Sequence, residues 1–310
     1  MRSVLVTSIV RGATHASSSS GLATATTLPW RASNWSERAT RSLRLTEGPG
    51  PVGVVRMRMT VAYDGSNFHG FARNEGVPTV AGTLGDALSS VVGHPVDLVC
   101  AGRTDRGVHA RAQVVSFDAD AERVDPVRLV RSINRMCGPS ISVSRASVAS
   151  DGFDARHSCT GRVYRYRVLN SPVPNPLVGG LCWHVEHPLD LRAMRTAADR
   201  LLGDHDFSSF CRRNPSHPDQ SMVRTVRRAV WWLEGDVAVF EIEASSFCHQ
   251  MVRSLVALLV SVGLGRHKPS DVGAIIAARD RAAAPSPAPP GGLVLWAALY
   301  DRDIPGSEHS

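Results

Sequence analysis

Lysine is almost missing from this chain, because Lys268 is the only lysine among its 35 lysines and arginines. Metal-ligand patterns are missing too, since the six cysteines form no C-x-x-C pair and the twelve histidines form no H-E-x-x-H pattern. These absences argue against a zinc site or a disulfide framework, and scattered cysteines are typical of a reducing cytoplasm. We therefore predict a cytoplasmic protein that holds no metal.

A membrane span is also missing near the N-terminus, where the apolar run at residues 4–10 is too short and too interrupted to cross a bilayer. Residues 1–53 are rich in Ser, Thr, Ala and Arg, with Glu37 and Glu47 as their only acids. We interpret them as a disordered leader that carries no chemistry. A mis-assigned start codon or an organellar transit peptide would give the same composition. A transit peptide would place the protein in an organelle instead of the cytoplasm.

The residues that are present favour a folded protein with an anionic partner. With 310 residues, 43% apolar and 20% charged, the chain can bury a core as one large domain or two ordinary ones. Its net charge of +7 favours nucleic acid as the partner. Arginine binds phosphates and stacks on bases better than lysine does, although codon bias in a GC-rich genome also explains the shortage of lysine.

A group of arginines in the second half of the chain is a candidate track for RNA phosphates. It comprises Arg212, Arg213, Arg224, Arg227 and Arg228. Such groups often form only a solvated surface, so both interpretations stay open at this stage.

Apolar periodicity predicts the same order of elements twice. An alternation that begins at Val55 indicates a strand, and Thr79 and Asp125 are candidate caps of two helices that alternate with further strands. The second half again begins with a strand, followed by a helix capped by Asp190, a hairpin, a helix over residues 247–262 and a last strand. Both halves therefore read βαββαβ, with one extra helix in the second.

This order predicts an α+β fold built from two tandem ferredoxin-like units. We assign residues 54–155 to the first unit and residues 156–302 to the second. Residues 303–310 form a tail.

One glycine-bracketed loop carries the candidate chemistry. Asp105 lies between Gly102 and Gly107, flanked by Arg103 and Arg106, and short apolar runs on both sides indicate a loop between two strands. A neighbouring cation lowers the pKa of an acid by about 1–3 units, so we expect Asp105 to be ionised by the flanking arginines. An ionised, positioned carboxylate is a nucleophile. The alternative is a surface Arg–Asp pair that only tightens the loop.

The string Gly-Arg-Thr-Asp-Arg-Gly-Val-His-Ala at residues 102–110 resembles the signature loop of the TruA family of tRNA pseudouridine synthases. The resemblance implies a cofactor-free isomerase that converts uridine to pseudouridine, with Asp105 as the nucleophile. It also implies two sheets that face a shared RNA-binding cleft, and a homodimer that grips the anticodon stem-loop of tRNA near positions 38–40. Whether Asp105 attacks the sugar C1′ or the base C6 is left open.

Two further motifs match the same family. Arg-Val-Tyr-Arg-Tyr at residues 162–166 matches its R-x-Y-x-Y segment, which implies that Tyr164 lies against the target base. From the residues alone, two core tyrosines on a half-buried strand explain that segment equally well. Phe-Cys-His-Gln-Met-Val-Arg at residues 247–253 matches the F-x-H-x-M-V-R motif, which implies that Arg253 pairs with the nucleophile.

Helical spacing and the motif suggest roles for the remaining polar residues. His249 and Arg253 are four residues apart, so on a helix they share one face. We interpret His249 as a structural residue or an RNA contact. If the target nucleotide flips out of its stem, Arg103 would occupy the space that it leaves or bind its phosphate. Arg106 is a further candidate RNA contact.

The resemblance covers residues 54–300, with two departures. Phe71-Ala72 stands where the family usually has Trp-Gln, and Val294 stands where it usually has tyrosine. A catalytically inactive RNA-binding module or tRNA chaperone is the rival function. A retaining glycosidase would need two carboxylates about 5–5.5 Å apart, whereas the motif offers only Asp105.

Overall fold

Ten strands and five α-helices form from the residues that the computed structural model describes, which are residues 53–213, 215, 216 and 219–301. The strands of the first half are β1 (Val54–Tyr63), β2 (Val99–Cys100), β3 (His109–Asp120) and β4 (Ile141–Val148), and its helices are α1 (Val80–Val92) and α2 (Pro126–Cys137). The strands of the second half are β5 (Cys159–Asn170), β6 (Trp183–Val185), β7 (Gly203–Asp206), β8 (Val223–Glu234), β9 (Val237–Ala244) and β10 (Leu293–Tyr300), and its helices are α3 (Leu191–Asp199), α4 (Met251–Gly263) and α5 (Asp271–Ala278).

The helices begin where the sequence places cap residues. The Thr79 hydroxyl accepts from the Gly82 amide, Asp125 accepts from the amides of Val127 and Arg128, and Asp190 accepts from Ala193. Each side chain satisfies an amide that the first turn of a helix leaves without a partner, which stabilises the helix by about 1 kcal/mol. The predicted N-terminal ends of α1, α2 and α3 are confirmed.

The predicted start of α4 is wrong by one turn. The sequence predicts a helix from Phe247, whereas α4 begins at Met251 because Gln250 takes a left-handed backbone conformation, with φ 66°. His249 therefore lies in the turn before the helix rather than on a helical face with Arg253. Two short strands, β6 and β7, were not predicted, since three or four residues are too few for a periodic signal.

The strands form one continuous sheet instead of two facing sheets. Its order is β4-β1-β3-β10-β5-β9-β8-β7, with β2 on β3 and β6 on β5. The last strand joins the two halves, because β10 pairs with β3 in parallel and with β5 in antiparallel orientation. The expected pair of sheets is corrected accordingly. The α+β class is confirmed.

The described residues all belong to one contact unit. The division into residues 54–155 and 156–302 stays a prediction. Most of the leader predicted at residues 1–53, and the tail at residues 303–310, lie outside the described residues. Within the described part, no helix is both long and apolar enough to cross a membrane.

The two faces of the sheet differ in chemistry. Tyr164 and Tyr166 of β5 are buried in the same core as the apolar residues of α4. Arg165, between them, points to the other face, where its guanidinium lies 3.7 Å from the ring centre of Trp296 and 2.8 Å from Glu241. Alternation along β5 thus separates the tyrosines from the arginine, as strand geometry requires.

Candidate active site

The loop that carries Asp105 joins β2 to β3 at one end of these strands. Gly107 has φ 76°, a conformation that other residues rarely adopt, and the Val108 amide donates to the Asp105 carbonyl at 3.1 Å. At the other end of the loop, the Gln113 side chain donates to the Gly102 carbonyl at 2.6 Å. These bonds fix a tight bend with Asp105 at its turn, and the predicted loop between two strands is confirmed.

The end of β1 and the loop that follows it pack against this bend. The Tyr63 hydroxyl bonds the Thr104 hydroxyl at 2.8 Å, and the Phe71 amide donates to the Thr104 carbonyl at 3.1 Å. Gly65 approaches Val108 so closely that a Cβ there would lie 2.1 Å from the Val108 carbonyl oxygen. Phe71 is buried and its ring centre lies 6.2 Å from that of Tyr63. This departure from the family motif therefore keeps an aromatic ring in the support of the loop.

Two side chains from the region of α4 contact the carboxylate of Asp105. Arg253 Nη1 lies 3.2 Å from Oδ2, and His249 Nε2 lies 3.3 Å from Oδ1. Arg253 is itself held, because its Nε donates to the Ala288 carbonyl at 2.7 Å. The predicted Arg253–Asp105 pair is thus present, and His249 contacts the same acid.

The charge of Asp105 follows from these contacts. Burial raises the pKa of its carboxyl, but the hydrogen bonds and charges of His249 and Arg253 outweigh burial and lower that pKa below its ordinary value. The sequence attributed ionisation to Arg103 and Arg106. Both are exposed, and among the described residues neither forms an ion pair with Asp105, so that cause is corrected.

Tyr164 is buried, and its hydroxyl lies beside the start of the loop that carries Asp105, since a Cβ at Gly102 would lie 3.8 Å from it. Its ring meets that of Phe247 edge-on, with centres 5.0 Å apart. Burial raises the pKa of the phenol, and the smaller opposing effect of the Arg162 charge does not cancel this rise, so the hydroxyl stays neutral. Its neighbour Tyr166 donates its hydroxyl to the Pro289 carbonyl at 2.7 Å. The strand thus places one tyrosine at the site and fixes the other against the loop before β10.

The candidate RNA contacts differ in exposure. Arg103, Arg106, Arg212 and Arg213 are exposed, whereas Arg224 is half-buried. Arg224 Nη1 donates to the carbonyls of Ser221 and Val223, at 2.8 and 2.6 Å. Arg212 connects to the site through its backbone, because its amide donates to the His249 carbonyl at 3.0 Å. An RNA role for these residues stays a prediction.

Two cysteines that are far apart in sequence meet beside the site. Cys211 and Cys248 form a disulfide, with Cα atoms 5.7 Å apart, within the range that a disulfide spans. The argument against disulfides from scattered cysteines is therefore corrected for this pair, which only the fold brings together. In the described part of the chain, no group of three or more His, Cys, Asp or Glu residues is arranged to hold a metal ion.

Comparison with known proteins identifies the family. A family model described as tRNA pseudouridine synthase matches residues 59–156 and 197–301. The chain belongs to this family. A protein named tRNA pseudouridine synthase A from Methylobacterium nodulans is 42% identical over 248 residues, which cover 80% of this chain and 96% of that protein. Proteins of the same name from Caulobacter sp. and Methylacidiphilum infernorum are 40% and 36% identical over 252 residues, covering 81% of this chain and 100% and 98% of theirs.

The family match includes both segments that meet at the carboxylate. Asp105 lies in the first matched range, His249 and Arg253 lie in the second, and Tyr164 lies between the two ranges. Sequence reasoning missed the supporting contacts, above all Thr104 with Tyr63 and the Ala288 carbonyl with Arg253. Backbone carbonyls and hydroxyls of this kind carry no sequence signal, because their role depends on what the fold places beside them.

Proposed function

We propose that the protein isomerises uridine to pseudouridine in tRNA, with Asp105 as the nucleophile. The observation that carries the proposal is the contact of Arg253 with the Asp105 carboxylate at 3.2 Å, which together with His249 lowers the pKa of that carboxyl and favours its charged form. Membership of the tRNA pseudouridine synthase family supports the isomerase activity. The single motif carboxylate distinguishes this site from that of a retaining glycosidase, which needs two.

The reaction needs no oxidant, reductant or group donor, because uridine and pseudouridine have the same atoms and differ only in which base atom is bonded to C1′. The C1′–N1 bond breaks, a C1′–C5 bond forms, the proton on C5 is lost and N1 gains a proton. In one route Asp105 attacks C1′, releases the uracil as an anion and is displaced when C5 attacks the same carbon. In the other route Asp105 adds to C6 of the base and is eliminated after the new bond has formed. Both routes need the charged carboxylate, and both regenerate it.

The neighbouring residues would prepare the nucleotide for this chemistry. A base inside a stem must leave its stack to be reached, at a cost of a few kcal/mol. Contact with an aromatic ring is worth about 1–3 kcal/mol per base, so contact with Tyr164 would offset much of that cost. Arg103, exposed next to the bend, would occupy the vacated position or bind the phosphate.

The substrate that we propose is the anticodon stem-loop of tRNA, with uridines at positions 38–40 as the targets. The net charge of +7 supports an RNA substrate. Arg106, Arg212, Arg213 and Arg224 would contribute phosphate contacts, and a homodimer would grip one tRNA with both subunits. The two halves of the chain would correspond to tandem ferredoxin-like units that share the sheet.

A transcribed tRNA carrying labelled uridine tests the proposal. The wild-type protein should form pseudouridine at positions 38–40 without added metal or cofactor, and Asp105→Asn should form none while it still binds the tRNA. Binding without pseudouridine by the wild-type protein would instead support the inactive RNA-binding module. Activity that persists in Asp105→Asn would remove Asp105 as the nucleophile.

A further inference from the structure

The two partners of Asp105 differ in how firmly they are held. Arg253 has a side chain only 15% exposed, and its Nε is bound to the Ala288 carbonyl. His249 has a side chain 48% exposed. Each partner takes a different oxygen, since Arg253 binds Oδ2 and His249 binds Oδ1.

One contact restrains the carboxylate less than two contacts do. An aspartate carboxylate rotates about its Cβ–Cγ bond, and the torsion of such an sp³–sp² bond is broad. A single partner on Oδ2 lets this torsion vary over the range of length and angle that one hydrogen bond tolerates. A second partner on Oδ1 restrains the opposite oxygen, which narrows the range of the plane and of the lone-pair directions that would attack the substrate.

From this geometry we infer that His249 is a positioning residue for the nucleophile, which fixes the plane of the Asp105 carboxylate by holding Oδ1. The inference rests on the proposed function of Asp105. It assigns to His249 a role in the rate of the chemical step, whereas the sequence suggests a structural residue or an RNA contact. Misplacement of a reacting group by about 1 Å can cost 100-fold in rate, so a defined plane has a kinetic value.

The backbone around His249 is arranged to hold the imidazole in place. Gln250, next in the chain, has φ 66° and turns the chain sharply into α4. The His249 carbonyl accepts from the Arg212 amide at 3.0 Å, and Cys248 is linked to Cys211. Three constraints therefore act on a residue that is otherwise half exposed, as expected where the orientation of a side chain matters.

Few other charged groups surround Asp105 among the described residues. Arg253 of α4 binds the second oxygen, and Tyr164 of β5 stays neutral. Arg103 and Arg106 of its own loop are exposed. Loss of His249 should therefore leave Asp105 with Arg253 as its remaining ion-pair partner, and should raise the pKa of the carboxyl.

Three variants of the full-length protein separate the hydrogen bond from the ring and from the charge. His249→Phe keeps a ring without a donor, His249→Gln places an amide nitrogen near the position of Nε2, and His249→Asn is too short to reach. The single-turnover rate at saturating tRNA, the dissociation constant for tRNA and the pH profile are measured for each. Thermal melting checks that each variant is folded.

We expect His249→Phe and His249→Asn to lose about 10- to 100-fold in the single-turnover rate while they bind tRNA as the wild type does. His249→Gln should recover most of that rate. The acid limb of the pH profile should move to higher pH in His249→Phe, because Asp105 then accepts a proton more easily.

Two outcomes would overturn the inference. A wild-type rate in His249→Phe would mean that Arg253 alone positions the acid. Weaker tRNA binding with a normal rate at saturation would make His249 an RNA contact instead. Asp105→Asn in the same assay separates this failure from a failure of the proposed function. If Asp105→Asn is inactive and His249→Phe is fully active, only the role of His249 is rejected. If Asp105→Asn is active, Asp105 is rejected as the nucleophile.

Discussion

Arg253 and Asp105 are separated by 148 positions in the chain, yet Nη1 of the first lies 3.2 Å from Oδ2 of the second. One residue belongs to α4 in the second half, and the other to the bend between β2 and β3 in the first. The two halves are joined in one sheet by β10, which pairs with both β3 and β5. They also share one hydrophobic core. The candidate site is therefore built from both halves of the chain.

Replacement of Arg253 should reduce activity more than it reduces stability. Arg253→Ala removes a charge-assisted hydrogen bond worth about 1.5–3 kcal/mol, so we expect kcat/KM to fall about 10- to 150-fold. Arg253→Lys keeps the charge but has no second nitrogen for the Ala288 carbonyl, and should give an intermediate loss. Steady-state kinetics with transcribed tRNA measures both variants.

A surface arginine provides the matched control for this prediction. Among the described residues, Arg123 forms an ion pair with Asp120 alone, three residues away, and its side chain is 68% exposed. Arg123→Ala removes the same charge from the protein and should leave kcat/KM unchanged. An equal loss in both variants would mean that net charge, and not the contact with Asp105, supports activity.

The sequence predicts elements better than it predicts contacts between them. The alternation from Val55 and the caps at Thr79 and Asp125 are local, so they predict β1, α1 and α2 correctly. The left-handed conformation of Gln250 has no such local signal, because glutamine has no special preference for it. The sequence therefore predicts a start of α4 that is too early.

The site was predicted through family resemblance more than through physics. Adjacent charges suggest that Arg103 and Arg106 ionise Asp105, whereas the side chains that contact it, Arg253 and His249, come from the region of α4. Sequence spacing cannot reveal a pair 148 residues apart, but the F-x-H-x-M-V-R motif at residues 247–253 could. No sequence motif marks the pair Cys211 and Cys248, and only the fold brings these two cysteines together.

The lowered pKa of Asp105 predicts a stability that depends on pH. A carboxyl whose pKa is lower in the folded than in the unfolded protein adds stability above its unfolded pKa, and this stability is lost as the pH falls through the folded pKa. Asp105→Asn should therefore be less stable than the wild type at pH 7, and the difference should shrink below about pH 4. Urea unfolding at both pH values measures it, and a difference that is the same at both would contradict the lowered pKa.

The disulfide predicts a measurable effect of reductant. Cys211 and Cys248 are 37 positions apart, and closing a loop of this length stabilises a protein by about 2–4 kcal/mol. Reductant should lower the free energy of unfolding of the wild type by that amount, measured by urea titration. The double variant Cys211→Ser with Cys248→Ser should have the lower value with and without reductant.

The same samples identify the bond directly. Peptide mapping without reductant should recover Cys211 and Cys248 in one linked fragment, while Cys100, Cys137, Cys159 and Cys182 remain free. If all six cysteines react with an alkylating agent in the unfolded protein before reduction, the bond is absent in solution.

Gly65 should be necessary to the site because its backbone lies against the loop that carries Asp105. A Cβ at this position would lie 2.1 Å from the carbonyl oxygen of Val108, which is backbone and cannot move aside alone. Gly65→Ala must therefore push the loop after β1 away from the bend that carries Asp105. We expect a loss of about 1–3 kcal/mol in stability, as for other overpacked positions, and a clear fall in the single-turnover rate.

Gly152→Ala is the matched control, because nothing lies within 4 Å of the point that its methyl group would occupy. A Gly65→Ala variant with the stability and rate of that control would mean that the bend is held by its own hydrogen bonds and needs no support from the neighbouring loop.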